Sequence, residues 1–141
     1  MKRWGCINPL INADLSAAGH GDQVLITDGN YPALSKKPPE ARIVYLGLRS
    51  GEPKVTDVLK TILQEINVEA AVVMSPEQGR PEIFDEFDEL LPGVTITQAG
   101  RQEFYEKASL KNVRLVISTG ENRTFANILL TDWGCSGKIA I

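Results

Sequence analysis

The sequence predicts an α/β protein, a single domain over residues 1–141 built on a mostly parallel sheet with helices on both faces. Three observations predict it. Short apolar runs bounded by Asp-Gly, Gly or Pro recur along the chain. Stretches with apolar residues at helical spacing lie between them. The 141 residues also suffice for one core, since a chain of this size removes roughly 70% of its unfolded surface from water. Such alternation buries both faces of a parallel sheet, because each crossover helix covers one of them.

The elements follow in order. Asn12 reads as a helix cap, Leu15 and Ala18 share a face, and Gly19 can take the left-handed conformation that ends the helix. Val24-Leu25-Ile26, closed by Asp28-Gly29, and Ile43-Val44-Tyr45-Leu46 before Gly47 read as buried strands. Between them Pro32, Pro38 and Pro39, with Lys36 and Lys37, make residues 30–40 a surface loop placed to cover a pocket. Val55, Val58, Leu59, Ile62, Leu63 and Ile66 form the stripe of an amphipathic helix. Residues 70–74 are a strand. Ile83, Phe84, Phe87, Leu90 and Leu91 repeat the helical stripe until Pro92-Gly93 stops it. Residues 94–97 are a strand, 102–108 a helix, and 115–118 and 128–130 the last two strands.

Composition excludes several function classes. The net charge is −3 and the basic residues are scattered among acidic ones, so there is no stripe to neutralise a phosphate backbone and no nucleic-acid partner is expected. Cys6 and Cys135 stand far apart without Cys-x-x-Cys spacing, which indicates reduced thiols and a cytoplasmic location. Both cysteines, with Trp4 and Trp133, read as packing residues. Residues 70–74 are the longest unbroken apolar run, far short of the ~20 residues of a membrane helix. Asn8, Pro9, Asn12 and Asp14 break any apolar segment behind the basic start, so no secretion signal is expected and the Asn122-Arg123-Thr124 sequon goes unread. The dinucleotide fingerprint fails after Gly19-x-Gly21, and neither a phosphate loop nor a nucleophile elbow is present. One histidine builds no common metal cage, so neither metal nor cofactor is expected.

In an open sheet, ligands bind outside the carboxyl ends of the strands. The residues placed there are Asp28, Ser75, Gly100-Arg101 and Thr119-Gly120-Glu121, so one carboxylate and one guanidinium can converge. His20 is the only histidine, and imidazole is the one side chain whose unperturbed pKa, about 6.5, lies near neutrality. Each residue also has a plainer reading. A histidine after a helix is usually a cap or a packed residue, Asp28 before Gly29 a turn former, Asn127 a partner for loop backbone, and Gly120-Glu121 a turn. Phe104 and Phe125 read as core. Arg101 fits a purely structural role least, because a helix start disfavours a cation.

Two blocks carry a family resemblance. Gly19-His20 leads through a short apolar strand to Thr27-Asp28, and Gly120-Glu121 precedes Phe125-Ala126-Asn127-Ile128-Leu129-Leu130. In order and position these resemble the ribose pyranase and fucose mutarotase family, over nearly the entire chain. Arg101, with Phe104-Tyr105-Glu106 behind it, looks like the fucose branch, since the ribose branch usually carries histidine there.

The resemblance implies a cofactor-independent isomerase that interconverts anomers or ring forms of a free monosaccharide, fucose before ribose. Opening the hemiacetal needs a proton to leave the anomeric hydroxyl while another reaches the ring oxygen. By the same resemblance His20 is the proton donor, Asp28 orients it or the sugar, and Arg101 binds hydroxyls. Asn127 and the backbone around Phe125 and Ala126 hold the anomeric centre. A ring-shaped homo-oligomer, commonly a decamer with sites at subunit boundaries, is implied as well. Phe125 departs from the family, which usually has tyrosine there. Three outcomes stay open: His20 handles both protons, another group such as Tyr31 substitutes, or the chain is a weak enzyme or a non-catalytic sugar-binding or regulatory subunit.

Overall fold

Asn8, rather than Asn12, starts the first helix of the computed structural model, which describes residues 1–132 and Gly134. The Asn8 side-chain oxygen accepts the backbone N–H groups of Leu10 and Ile11 at 3.0 Å each. Pro9 then occupies the first helical position of α1 (Pro9–Ala17), where its missing N–H is no loss. Asn12 instead donates its side-chain amide to the Cys6 carbonyl. Nor does Gly19 end the helix. The chain leaves α1 extended at Ala18, and the left-handed residue is Gly21, at φ 91°.

The remaining elements are β1 (Gln23–Thr27), β2 (Arg42–Tyr45), α2 (Val55–Leu63), β3 (Val68–Met74), α3 (Ile83–Leu90), β4 (Thr95–Ala99), α4 (Arg101–Ala108), β5 (Val113–Ser118) and β6 (Ile128–Asp132). The strands form one sheet in the order β2-β5-β1-β6-β3-β4. The pairs β2/β5, β1/β5 and β3/β4 are parallel, whereas β6 runs antiparallel to both β1 and β3. Chain length explains the exception: residues 119–127 hold no helix and are fewer than the dozen or so a parallel crossover needs. β6 thus stitches two parallel halves together, and the other five strands all point the same way.

Alternation along β1 shows how both faces are filled. Val24 and Ile26 join Ile11, Leu59, Ile62 and Phe87 under α1, α2 and α3. Leu25 joins Phe104, Ala108, Val116 and Leu129 under α4, with Tyr31, Ala33 and Ala41 of the proline-rich loop. Phe87 and Phe104 are fully buried, so truncating either to alanine costs about 3–5 kcal/mol. Cys6 is buried as a packing residue should be, but Trp4 is not, being 79% exposed. Trp133 and Cys135 lie outside the described residues. Among those residues, no helix is long and apolar enough to cross a membrane.

Candidate functional site

Because β1 to β5 share a direction, their carboxyl ends bring Asp28, Ser75, Arg101 and Thr119 to one edge of the sheet, where β6 begins just after Asn127. Asp28 is buried there. One carboxylate oxygen accepts the N–H groups of Asn30 and Tyr31 at 2.9 Å each, and the other accepts that of Ala126 at 3.3 Å. The Asp28 N–H in turn donates to the Asn127 side-chain oxygen at 2.9 Å. The turn-forming role of Asp28 is therefore present, but so is a tie across the sheet end to Ala126 and Asn127. Burial pushes the Asp28 carboxyl above its ordinary value, against the pull of the three backbone donors; the charge of Glu121 adds to the rise.

Beside this carboxyl group lies a cleft of about 320 Å³ lined by Asp28, Tyr31, Arg101, Tyr105, Phe125 and Asn127, among others. Arg101 is the first residue of α4, and its guanidinium stands 5.7 Å from the centroid of the Phe125 ring. The reading of Phe125 as core holds only in part: it is half-buried, packs against the core cluster that holds Tyr31 and Phe104, and also lines the cleft. Its φ is 58°, the left-handed region that a bulky residue rarely adopts and that clusters at functional positions. Phe104, in contrast, is core as expected. Chemically, the cleft offers charged and amide groups between aromatic walls, and its size falls in the range of small-molecule sites, roughly 300–1,000 Å³.

The neighbouring Gly120-Glu121 is more than a turn. A Cβ on Gly120 would sit 2.1 Å from the Glu52 carbonyl oxygen, so only glycine fits. Glu121 is buried, accepts the N–H of Val55 at the start of α2 and bonds the Arg123 guanidinium, which also pairs with Glu86. Burial opposes the Glu121 charge, but the hydrogen bonds from Arg123 outweigh it and hold the carboxyl below its ordinary value. This network braces the edge that carries the cleft.

His20 stands at the opposite edge. It precedes β1 and lies against the end of β6: Gly21 donates to the Asp132 carbonyl, and a Cβ on Gly134 would be 3.6 Å from the His20 Cβ. The five residues of β1 separate it from Asp28, a span on the order of 15 Å at strand rise. Within one chain, then, the structure brings Asp28, Arg101, Phe125, Ala126 and Asn127 together and leaves His20 apart. The imidazole is neither packed nor a cap. Its side chain is 66% exposed, with Nε2 3.4 Å from a carboxylate oxygen of Glu69.

Sequence reasoning gives no role to Glu69 and none to Tyr105 beyond the fucose-like Phe104-Tyr105-Glu106 stretch. The signal for Glu69 is a carboxylate directly before the apolar run of β3. Tyr105 is one turn on from Arg101 on α4, the reach of a shared helix face.

The model of the RbsD / FucU transport protein family matches residues 1–133. The D-ribose pyranase of Symbiobacterium thermophilum is 37% identical over 131 residues, which cover 92% of this chain and 95% of that one. Among solved structures, Bacillus subtilis RbsD complexed with D-ribose superposes with a TM-score of 0.81 at 26% identity, covering 94% of this chain and 97% of that one. FucU from Bifidobacterium longum does so with a TM-score of 0.76 at 30% identity, covering 89% and 93%. The mixed six-stranded fold is theirs, and the chain belongs to the RbsD / FucU transport protein family.

Proposed function

We propose that this chain is a cofactor-independent isomerase that interconverts the anomers and ring forms of a free cytoplasmic monosaccharide, with L-fucose the favoured sugar. The observation that carries the reading is the convergence of Asp28, Arg101 and Asn127 on one cleft of monosaccharide size. Arg101 offers a fork of donors to sugar hydroxyls, and Asp28 offers acceptor oxygens.

The proton-transfer group comes from a neighbouring copy. An exposed imidazole at the far edge of the sheet cannot serve its own cleft, but it can serve that of an adjacent subunit in a closed ring. Exposed Trp4, Ile7, Leu34 and Leu48 supply apolar surface for such an assembly, and we assign it the decameric form of the family resemblance. In the assembled site protonated His20 gives its proton to the ring oxygen as the bond from the anomeric carbon to that oxygen breaks, and the imidazole then recovers a proton from the anomeric hydroxyl by way of water. The resulting carbonyl rotates and closes again, onto the same hydroxyl for the other anomer or onto a different one for the other ring size. Glu69 orients the imidazole, and Asp28 and Arg101 hold the sugar.

The fucose reading rests on Arg101 with Phe104-Tyr105-Glu106. The ribose reading is supported by relatives that carry the name D-ribose pyranase. Exchange NMR on equilibrating L-fucose and D-ribose tests both: the wild type accelerates interconversion of one of them, and His20→Ala leaves only the spontaneous rate. Equal rates for the wild type, His20→Ala and buffer rule out the enzyme. Sugar-dependent thermal stabilisation without acceleration would instead indicate a non-catalytic binding subunit, the reading that Phe125 favours.

A further inference from the structure

We propose that Tyr31 contacts the substrate, its hydroxyl donating a hydrogen bond to an oxygen of the monosaccharide bound in the Asp28 cleft. The inference deepens the isomerase reading and rests on its sugar site.

Among the described residues, two buried side-chain polar atoms lack a hydrogen-bond partner, the Thr27 hydroxyl and the Tyr31 hydroxyl. Tyr31 is the one that lines the cleft. A buried donor without an acceptor costs roughly 1–3 kcal/mol, and such groups in folded proteins usually have a reason. Here the missing acceptor is a ligand oxygen. The residue is 8% exposed, and its ring meets Phe104 edge-on at 6.0 Å and Tyr105 at 5.5 Å. Its N–H bonds the Asp28 carboxylate. The ring is thus held in place before any sugar arrives, and its hydroxyl is shielded from bulk water.

Its neighbours leave this role open. The Asp28 carboxylate accepts and does not donate, and the Phe125 side chain has no polar atom to give. The role is to orient the sugar and not to supply the proton for the ring oxygen. Burial, and then the fields of Tyr105 and Asp28, push the phenol well above its ordinary value, so it stays a neutral donor and the transferred protons pass through His20.

Tyr31→Phe removes one oxygen and keeps the ring contacts. With L-fucose and D-ribose as probes, the variant should show a KM raised on the order of 3- to 10-fold, the worth of one neutral hydrogen bond, with kcat little changed. The melting temperature without sugar should hold or rise, because no partner is lost, while the sugar-induced shift shrinks. A merely structural hydroxyl would leave KM and that shift at wild-type values, and this result overturns the proposal. A wild type that neither binds nor turns over either sugar overturns the isomerase reading along with it. A responsive wild type matched by Tyr31→Phe overturns the Tyr31 assignment alone.

Discussion

The two edges of the sheet are built in opposite ways. Where β1 to β5 end, Asp28 is buried and engaged by four hydrogen bonds of 2.9–3.3 Å. It sits beside a cleft braced by Gly120, Glu121 and Arg123. Where those strands begin, the His20 side chain is 66% exposed, with Nε2 3.4 Å from a Glu69 carboxylate oxygen. The first edge is preorganised for binding, with its polar groups fixed before a ligand enters. The second presents an exposed imidazole beside a single carboxylate. On the proposed reading a single copy carries the two halves of a site in places that cannot meet, so the proposed chemistry depends on assembly.

The sharpest way to break this comparison is complementation between edges. His20→Ala should lose about 10²–10⁴-fold in the catalysed rate, the usual worth of a positioned acid or base, and Asp28→Asn should lose activity through the sugar that Asp28 holds. Subunits of the two variants, mixed and reassembled, should recover about a quarter of wild-type activity, the share of sites that random assortment completes from two different copies. Exchange NMR on the mixture reads the outcome; a mixture as inactive as its parents would mean that His20 of one copy does not serve the cleft of another. A smaller effect sharpens the binding edge. Arg101→Met keeps an unbranched chain against Phe125 but removes every donor, so KM should rise roughly 10- to 100-fold, the worth of a charge-assisted hydrogen bond, while the melting temperature holds. A change in kcat alone would place Arg101 outside substrate binding.

The smallest expected effect is a pH slope. The Asp28 carboxyl lies above its ordinary value of 3.8 chiefly through burial. Its contribution to stability is therefore fully present below that value, where the group is protonated in both states, and is lost as pH rises through the folded-state pKa. The melting temperature of the wild type relative to Asp28→Asn should accordingly fall as pH rises from 3.8 and then level off. A difference that grows with pH instead would show that the backbone donors, and not burial, dominate at Asp28.

Much of this molecule is legible in its residues. Apolar runs and helical spacing mark most of the elements, and the rule that ligands sit past strand ends brings Asp28 and Arg101 to one cleft. Local signals misplace what depends on detail. Asn8 and Asn12 are both competent caps, and only the position of Pro9 and the Cys6 carbonyl separates them. Phe125 is apolar and so reads as core, although its backbone turns it to the cleft. Trp4 reads as packing for the same reason, yet is exposed in the single chain. Strand direction is equally silent, since an apolar run such as Ile128-Leu129-Leu130 looks the same whichever way it runs.

By itself, then, the sequence determined the class, the elements, the two-faced core and the residue types that a hemiacetal chemistry needs, because periodicity and side-chain chemistry are local properties. Tertiary structure alone decided that β6 runs against its neighbours, that the Tyr31 hydroxyl is left without a partner, and that His20 stands a strand's length from Asp28. Distances across a sheet depend on the direction in which each strand is laid down, and no local pattern of residues records that.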